Sequence, residues 1–445
     1  MASGLCVKLS PSNAGVYHVS HIPPESFETA NRLLQMNHDN HHVFFNERGL
    51  HNHITHYLLS QTALAARPAQ MERAYFQEQK LQRPQFPADE QVVVNMNDPE
   101  FFRSGFSQEN HYHNYLTFFK RQIGKRGVGP VVHDTLFSRT QNAELHLARF
   151  LHPIIHFGFD VEFNQPAIIA EGLAQGAIHK PEISHVFDAI ARYEKSNTLN
   201  MSTDRLLVDL IREIEQDDKI GNAACWGNGS HIIDDPLANA PEEPWCIAAQ
   251  YRVSPVQLEE KTAEMINVCA YFTAAAQLPS KEHKLDFFFI HNVNCFIFFS
   301  AFLKKDWLSN EDKAHLLEMK CRFDIISYAA RGSPHLDINE VINYQPKKSE
   351  NDWEGLLRRV NAFLDDFHVT RVIRSLTHGE QVSKKYESQP GFPMPTHLFL
   401  QAAHIAMNST EEAYYGGHWV RGAGFKEQWA KFKDRNSTQA ASVRV

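Results

Sequence analysis

The amino-acid sequence predicts a mainly α protein, a large bundle-like single domain with long irregular loops and few or no strands. Three observations carry that expectation. Apolar residues recur at helical spacing, as in the stripe Leu356, Val360, Phe363, Leu364, Phe367, Val369, Val372 and Leu376. The segment Leu285–Leu303 (LDFFFIHNVNCFIFFSAFL) is apolar almost without break, over a length that suits a central helix of a large core. Strand-type runs are few and short, with Val92–Val94 the clearest, and no solenoid or propeller repeat is present.

Taken in order, Pro23-Pro24-Glu25 opens a helix that runs through Met36, since proline is suited to the first helical turn. Gly49 then breaks the pattern before a helix from roughly Asn52 to Ala66, on which His53 and His56 share a face. Gln79 to Asn110 reads as mostly loop, followed by a helix to Arg126 with Tyr112, Tyr115, Leu116, Phe119 and Ile123 on its apolar face. In the next helix, NAELHLARFLHPIIHFGFDVEF, Pro153 lacks a main-chain donor and biases His152 away from helical dihedrals, so a kink is expected there. His156 follows one turn on, among Ile154, Ile155 and Phe157.

PAIIAEGLAQGAIHK starts another helix at Pro166, and further helices are expected at Ile183–Lys195 and Thr203–Gln216. Residues 217–247, which include Trp226, are rich in Gly, Asn, Asp and Pro and read as a loop or lid. Helices follow at Pro255–Ala276, Asp286–Leu303 and Glu311–Tyr328. One long helix then carries the Leu356–Leu376 stripe and closes with Gly379 at its C′ position, and a shorter helix spans Pro395–Met407. This places a single all-helical domain over residues 1–433 and a mobile polar tail over 434–445.

Composition narrows the function. The formal charge of -8 is spread without a basic block, so the electrostatic footprint of a nucleic-acid binder is missing. Six cysteines lie far apart with no CxxC, which fits reduced thiols in an intracellular protein. Leu285–Leu303 carries His291, Asn292, Asn294 and Ser300 and is bounded by Lys284 and Lys304, so it reads as buried in protein and not in lipid. With no charged-then-apolar order at the N-terminus, the expectation is a soluble cytoplasmic protein.

The outlier is histidine, with 26 residues, which directs attention to metal or acid–base chemistry. His56, His156, His291 and His368 each stand in a strongly apolar helical context in a separate segment. Any one of them is as readily a core histidine bonded to a carbonyl; four together make a metal held by inward-facing imidazoles a reasonable proposal, with iron, zinc, copper or manganese as the ion. On a helix His291, Asn294, Cys295 and Phe298 share one stripe. No G-x-G-x-x-G after a strand, no P-loop, no G-x-S-x-G and no H-E-x-x-H occurs, so there is no flavin or dinucleotide motif.

The blocks HNHITHYLL, HPIIHFGFDVEF with EGLAQGAIHK, FFFIHNVN, DDFHVTRVIRSL followed by HGEQV, and WVRGAGF resemble, in order, those of the questin oxidase-like fungal proteins, which include an aflatoxin-pathway oxidoreductase. The resemblance covers nearly the whole chain. It implies an oxygenase of aromatic polyketide biosynthesis, a secondary metabolism, that opens an anthraquinone ring such as that of questin by a formal Baeyer–Villiger oxidation. Some members are described as NADPH-dependent; others resemble non-haem iron (Fe2+) enzymes with histidine ligands and a carboxylated lysine. By that resemblance His56, His156, His291 and His368 are the expected ligands of iron or another divalent metal.

One departure stands out. The family pattern often has lysine three residues after the histidine matching His368, where this chain has Arg371. Arginine stays cationic and cannot form a carbamate, which leaves three readings open: Arg371 holds a phenolate or quinone oxygen of the substrate, the metal is bound by imidazoles plus water, or the reaction differs within the family. His53 and His152 are the expected proton donors or orienting groups, and Asn294, Phe298 and Trp226 are expected along the substrate. The expected partners are an aromatic polyketide and dioxygen, without nucleic acid or membrane, and the oligomeric state is left open. Two alternatives stay in play: a metal-free, NADPH-dependent Baeyer–Villiger oxidase, and a helical polyketide-binding or carrier protein whose buried histidines are structural.

Overall fold

The computed structural model describes residues 2–137, 148–180, 184–196, 205–224, 243–348, 352–364, 366–411, 413 and 417–435. The fold is mainly α, as the helical spacing of the sequence predicts. Among the described residues β pairing is confined to isolated bridges such as Phe44 with His51 and Asp286 with Val420, and no helix is long and apolar enough to cross a membrane. The chain divides into two compact units, one of Met1–Ser184 with Phe298–Asp312, the other of His185–Ile297 with Lys313–Val445.

The first unit is built on α1 (Pro24–Asn40), α2 (Ile54–Ala63), α3 (Tyr112–Arg126), α4 (Ala148–Glu162) and α5 (Pro166–Ile178). α5 packs against both α3 and α4 and is buried from Ala167 to Ile178, as a helix that is apolar all round must be. Two glycines set the close packing of α4. A Cβ on Gly172 would lie 2.9 Å from the Phe157 backbone, and one on Gly158 would lie 2.3 Å from the Phe298 ring. The entry to α2 is tied to α1 by side-chain amides. Asn52 donates to Asn37 at 2.8 Å, Asn37 donates to Thr55 at 3.1 Å, and Asn52 Oδ1 accepts the Ile54 amide at 3.0 Å.

The second unit contains α6 (Leu258–Ala275), most of α7 (Phe289–Leu303), α8 (Asn310–Ala330), α9 (Trp353–Ala362), α10 (Val369–Ser383) and α11 (Leu398–Glu411). Asp286 organises the start of α7. One carboxylate oxygen accepts the Phe288 and Phe289 amides at 2.7 and 3.2 Å, as an N-cap does. The other accepts the Gly422 and Ala423 amides at 2.6 and 2.8 Å, which fastens the WVRGAGF segment to the head of that helix.

Three local expectations are corrected. Val92–Val94 is not extended but lies in a short helix, Glu90–Asn95, because the Asp89 side chain caps it by accepting the Gln91 and Val92 amides at 2.9 and 3.2 Å. The single long helix expected through the Leu356–Leu376 stripe is two, α9 and α10, separated at residues 363–368, with Phe367 in the left-handed region at φ 67°. Gly379 is inside α10, not beyond its end, and serves close packing: a Cβ there would lie 2.6 Å from the Phe399 ring on α11. Of the lid expected at 217–247, Asp218–Ala223 and Glu243–Ala249 are helical; residues 225–242, Trp226 among them, lie outside the described residues, as do 436–445 of the expected tail.

Candidate active site

In the first unit α2 and α4 run parallel and face each other through histidines. His53 Nε2 lies 2.9 Å from His152 Nε2, and one turn along His56 Nε2 lies 3.0 Å from His156 Nδ1. The other nitrogen of His156, Nε2, is 2.9 Å from Oε2 of Glu171 on α5, and Oε1 of the same carboxylate is bonded to His38 Nδ1 on α1. A carboxylate accepts only, so Nε2 of His156 carries the proton and Nδ1 presents its lone pair towards His56. His38, His56, His156 and Glu171 are all buried. Burial alone would raise the Glu171 carboxyl, but the two imidazoles outweigh it and bring it down to about 2.

The His53–His152 rung continues into two further imidazoles. The His152 ring stacks on His51 at 3.8 Å with the planes 8° apart, and His51 Nε2 is 2.9 Å from His179 Nε2. His179 is the C-cap of α5. Of these four rings only the half-buried His53 is not fully enclosed. The sharp turn expected at the His152–Pro153 pair is present one residue earlier, where Leu151 adopts the left-handed φ of 63° inside a helix that otherwise continues through Pro153. Such strain in a non-glycine residue persists only when its surroundings impose it.

In the second unit His291 and His368 have ring centroids 5.0 Å apart, with the Phe287 ring 4.8 and 5.2 Å from them. His291 Nδ1 donates to the Phe287 carbonyl at 2.6 Å, and His368 Nδ1 to the Asp366 carbonyl at 2.8 Å, with the Asp366 carboxylate 3.0 Å away. Each imidazole therefore keeps Nε2 as its acceptor atom. Burial lowers the His368 pKa, Asp366 works to raise it and Arg371 lowers it further. Asp366 also accepts the Trp419 indole N–H at 3.1 Å, and the Arg421 guanidinium stacks 4.0 Å over Phe287.

The predicted residues thus fall into two groups, His53, His56, His152 and His156 in the first unit and His291 and His368 in the second. Among the described residues, no group of three or more His, Cys, Asp or Glu is arranged to hold a metal ion; the candidate ligands come as pairs. Arg371 is buried and its Nε donates to the Phe367 carbonyl at 2.7 Å. Asn294 is buried, and neither atom of its amide has a hydrogen-bond partner among the described residues. Phe298 packs on Gly158 and, at 4.7 Å, edge-on to Phe159. A cavity of about 370 Å³ lined by Met96, Phe102, Arg103, Phe118 and Gln122 contains none of the predicted residues.

A family model described as questin oxidase-like matches residues 50–376. The chain belongs to the questin oxidase-like family. It is 38% identical over 438 residues to a questin oxidase of Aspergillus terreus, covering 96% of this chain and 98% of that one. It is 38% identical over 434 residues to the Baeyer-Villiger oxidase ptaJ of Pestalotiopsis fici, with 96% and 97% covered. To the Baeyer-Villiger monooxygenase dmxR6 of a Cryptosporiopsis species it is 34% identical over 436 residues, with 96% and 98% covered.

Sequence reasoning missed His38, Glu171 and Asp366. A signal for Glu171 was present: it is the one carboxylate in PAIIAEGLAQGAI, a helix otherwise without charge, and a buried carboxylate needs partners.

Proposed function

We propose that the protein is an oxygenase of fungal aromatic polyketide biosynthesis that cleaves a C–C bond of an anthraquinone such as questin, a formal Baeyer–Villiger ring opening. The names of its relatives support the reaction class. A single observation supports histidine-bound metal: in His156, His291 and His368 one ring nitrogen is anchored on a carboxylate or carbonyl, which fixes the tautomer and orientation of the ring as the outer partner of a metal-binding imidazole does. His56 and His156 in one unit, and His291 and His368 in the other, are the candidate ligands, and iron is the ion the reading favours. Such an ion supplies, when bound, the electrons that make dioxygen reactive towards an organic substrate.

The chain's own residues do the rest. Glu171 and Asp366 hold their imidazoles in one tautomer and orientation. Asn294 offers an amide to a quinone or phenol oxygen, and Arg371 a buried positive charge. Phe287, which packs on both histidines of the second unit, keeps water from them.

The test is elemental analysis of protein purified without chelator, beside oxygen uptake with questin with and without NADPH. We expect stoichiometric iron, ring-opened product, and loss of both in His156→Ala and His291→Ala. Activity without any transition metal and only with NADPH would replace this reading by the metal-free oxidase. Tight anthraquinone binding without oxygen uptake under any reductant would leave a carrier.

A further inference from the structure

Apart from its histidines, the first unit offers a second place where a small molecule fits. The cavity of about 370 Å³ is drawn from residues 96–103, from α3 and from residues 131–135. That volume is at the lower end of small-molecule sites, roughly 300–1,000 Å³, and has room for a ligand of two or three rings. Three phenylalanines line it. The Phe102 ring centroid is 5.3 Å from Phe118 and 5.9 Å from Phe119, and those two are 5.6 Å apart. The planes meet at 46°, 87° and 73°, so none of the three rings stacks flat on another. Phe119 belongs to the buried face of α3, with Tyr112, Tyr115, Leu116 and Ile123; Phe118 lies off that face and is, like Phe102, only half-buried. The core does not use these two rings fully, and a flat ligand would cover what it leaves exposed.

The polar groups of the cavity differ in what they have left to give. Arg126 Nη2 donates to Asp134 Oδ2 at 2.5 Å, and Gln122 Nε2 donates to Asn97 Oδ1 at 3.2 Å. Asp134 is the one acidic side chain lining the cavity, and the Arg126 hydrogen bond holds its carboxyl below the usual carboxylate range. Arg103 is uncommitted. Its guanidinium makes no hydrogen bond and no ion pair among the described residues. A solvent-facing arginine alone is ordinary surface; this one stands at an aromatic-lined cavity whose only carboxylate is already paired. The complement of that combination is an aromatic ring system with one negative charge, and a carboxylate is the anion that the planar fork of a guanidinium meets with two N–H donors.

We propose that this cavity is a second ligand site, separate from the histidines, that takes a flat aromatic carboxylate. Its rings lie against Phe102 and Phe118, and its carboxylate pairs with Arg103. The site holds none of the residues assigned to the reaction, so it stands whether or not the histidines bind a metal.

Isothermal titration calorimetry of the full-length protein with 2-benzoylbenzoate tests it, beside neutral benzophenone and the non-aromatic cyclohexanecarboxylate. The aromatic acid should bind about fivefold more tightly than the ketone, the contribution of one solvent-facing ion pair. Cyclohexanecarboxylate should give no measurable heat. Arg103→Gln should remove the preference for the acid over the ketone, and Phe118→Ala should weaken both aromatic ligands. Gln122→Trp, which fills the cavity from α3, should abolish both; if it does not fold, the other two variants decide, since Arg103 is exposed and Phe118 half-buried. Folded His156→Ala should bind 2-benzoylbenzoate as the wild type does, which separates this site from the reaction site. No heat from 2-benzoylbenzoate up to millimolar concentration, an affinity unchanged in both Arg103→Gln and Phe118→Ala, or binding lost in folded His156→Ala would overturn the proposal.

Discussion

Replacing Glu171 by glutamine tests the electrostatics of the first unit most directly. The Glu171 carboxyl lies at about 2 instead of 4.5, which corresponds to about 3 kcal/mol of preference for the anion in the folded state. Glutamine keeps one acceptor oxygen, but its N–H2 group meets the second imidazole donor, so one bond to a charged group is lost and one donor is stranded. Glu171→Gln should therefore lose about 3 kcal/mol in urea denaturation at pH 7. The folded-state pKa is depressed, so the wild-type advantage is complete above 4.5 and is lost as the pH falls towards 2. The gap between the two proteins should narrow over that range, because glutamine has no charge to lose. A variant as stable as wild type at pH 7, or a gap unchanged between pH 7 and about 3, would refute the assignment of Glu171 as a bound anion.

Other outcomes follow from packing, charge and backbone. Gly158→Ala puts a methyl 2.3 Å from the Phe298 ring and should cost about 1–3 kcal/mol; an unchanged urea midpoint would mean that the ring moves freely. Lys320 and Asp324 form an ion pair with both side chains fully buried, so Lys320→Met should cost about 3–5 kcal/mol, and adding Asp324→Leu should recover most of it. A double variant no more stable than the single one would show that the pair itself holds the second unit together. Ala65 sits at φ 55°, where Ala65→Gly relieves about 1–2 kcal/mol of strain against a chain-entropy cost of about 0.5–1 kcal/mol. Thermal denaturation should show a small net gain, and a loss would contradict the strain.

Helices were legible wherever apolar residues kept a 3.6-residue period, as in α3, α6 and α8, whose observed bounds lie within a few residues of those expected. The errors came where one local side chain overrode the pattern. Asp89 capped a β-prone run into a helix, and the Leu356–Leu376 stripe continued across a break because Phe363 and Phe367 stay apolar while the backbone turns. At the site, the histidines were legible because an imidazole in an apolar helix is conspicuous, and Asn294 because it stands one turn from His291. Their anchors were not. Glu171 acts through His156 and His38, 15 and 133 residues away, and spacing along one helix says nothing about such contacts; Asp366 and the Phe287 carbonyl are close in sequence to His368 and His291 but lie outside the regular helices, where helical spacing does not place them.

One feature common to both units ties backbone to chemistry. Leu151 and Phe367, both buried and neither a glycine, adopt left-handed φ values of 63° and 67°, and each immediately precedes a predicted site histidine, His152 and His368. A left-handed residue of this kind costs about 1–3 kcal/mol and is kept only where its surroundings demand it. For Leu151 the demand is the rung between α4 and α2: with Pro153 two residues on and unable to donate a main-chain bond, a left-handed turn swings His152 into line with His53 without ending the helix. For Phe367 the turn starts α10 at its N-cap residue His368 and sets Nδ1 of that ring against the Asp366 carbonyl. A cheaper right-handed backbone at either position would carry the following imidazole off its partner. Ala65, Ser107, Asn164 and Ser333 also adopt positive φ without a site histidine next in the chain, so left-handed backbone alone does not mark the site; at Leu151 and Phe367 it is the aim of the following imidazole that the turn sets.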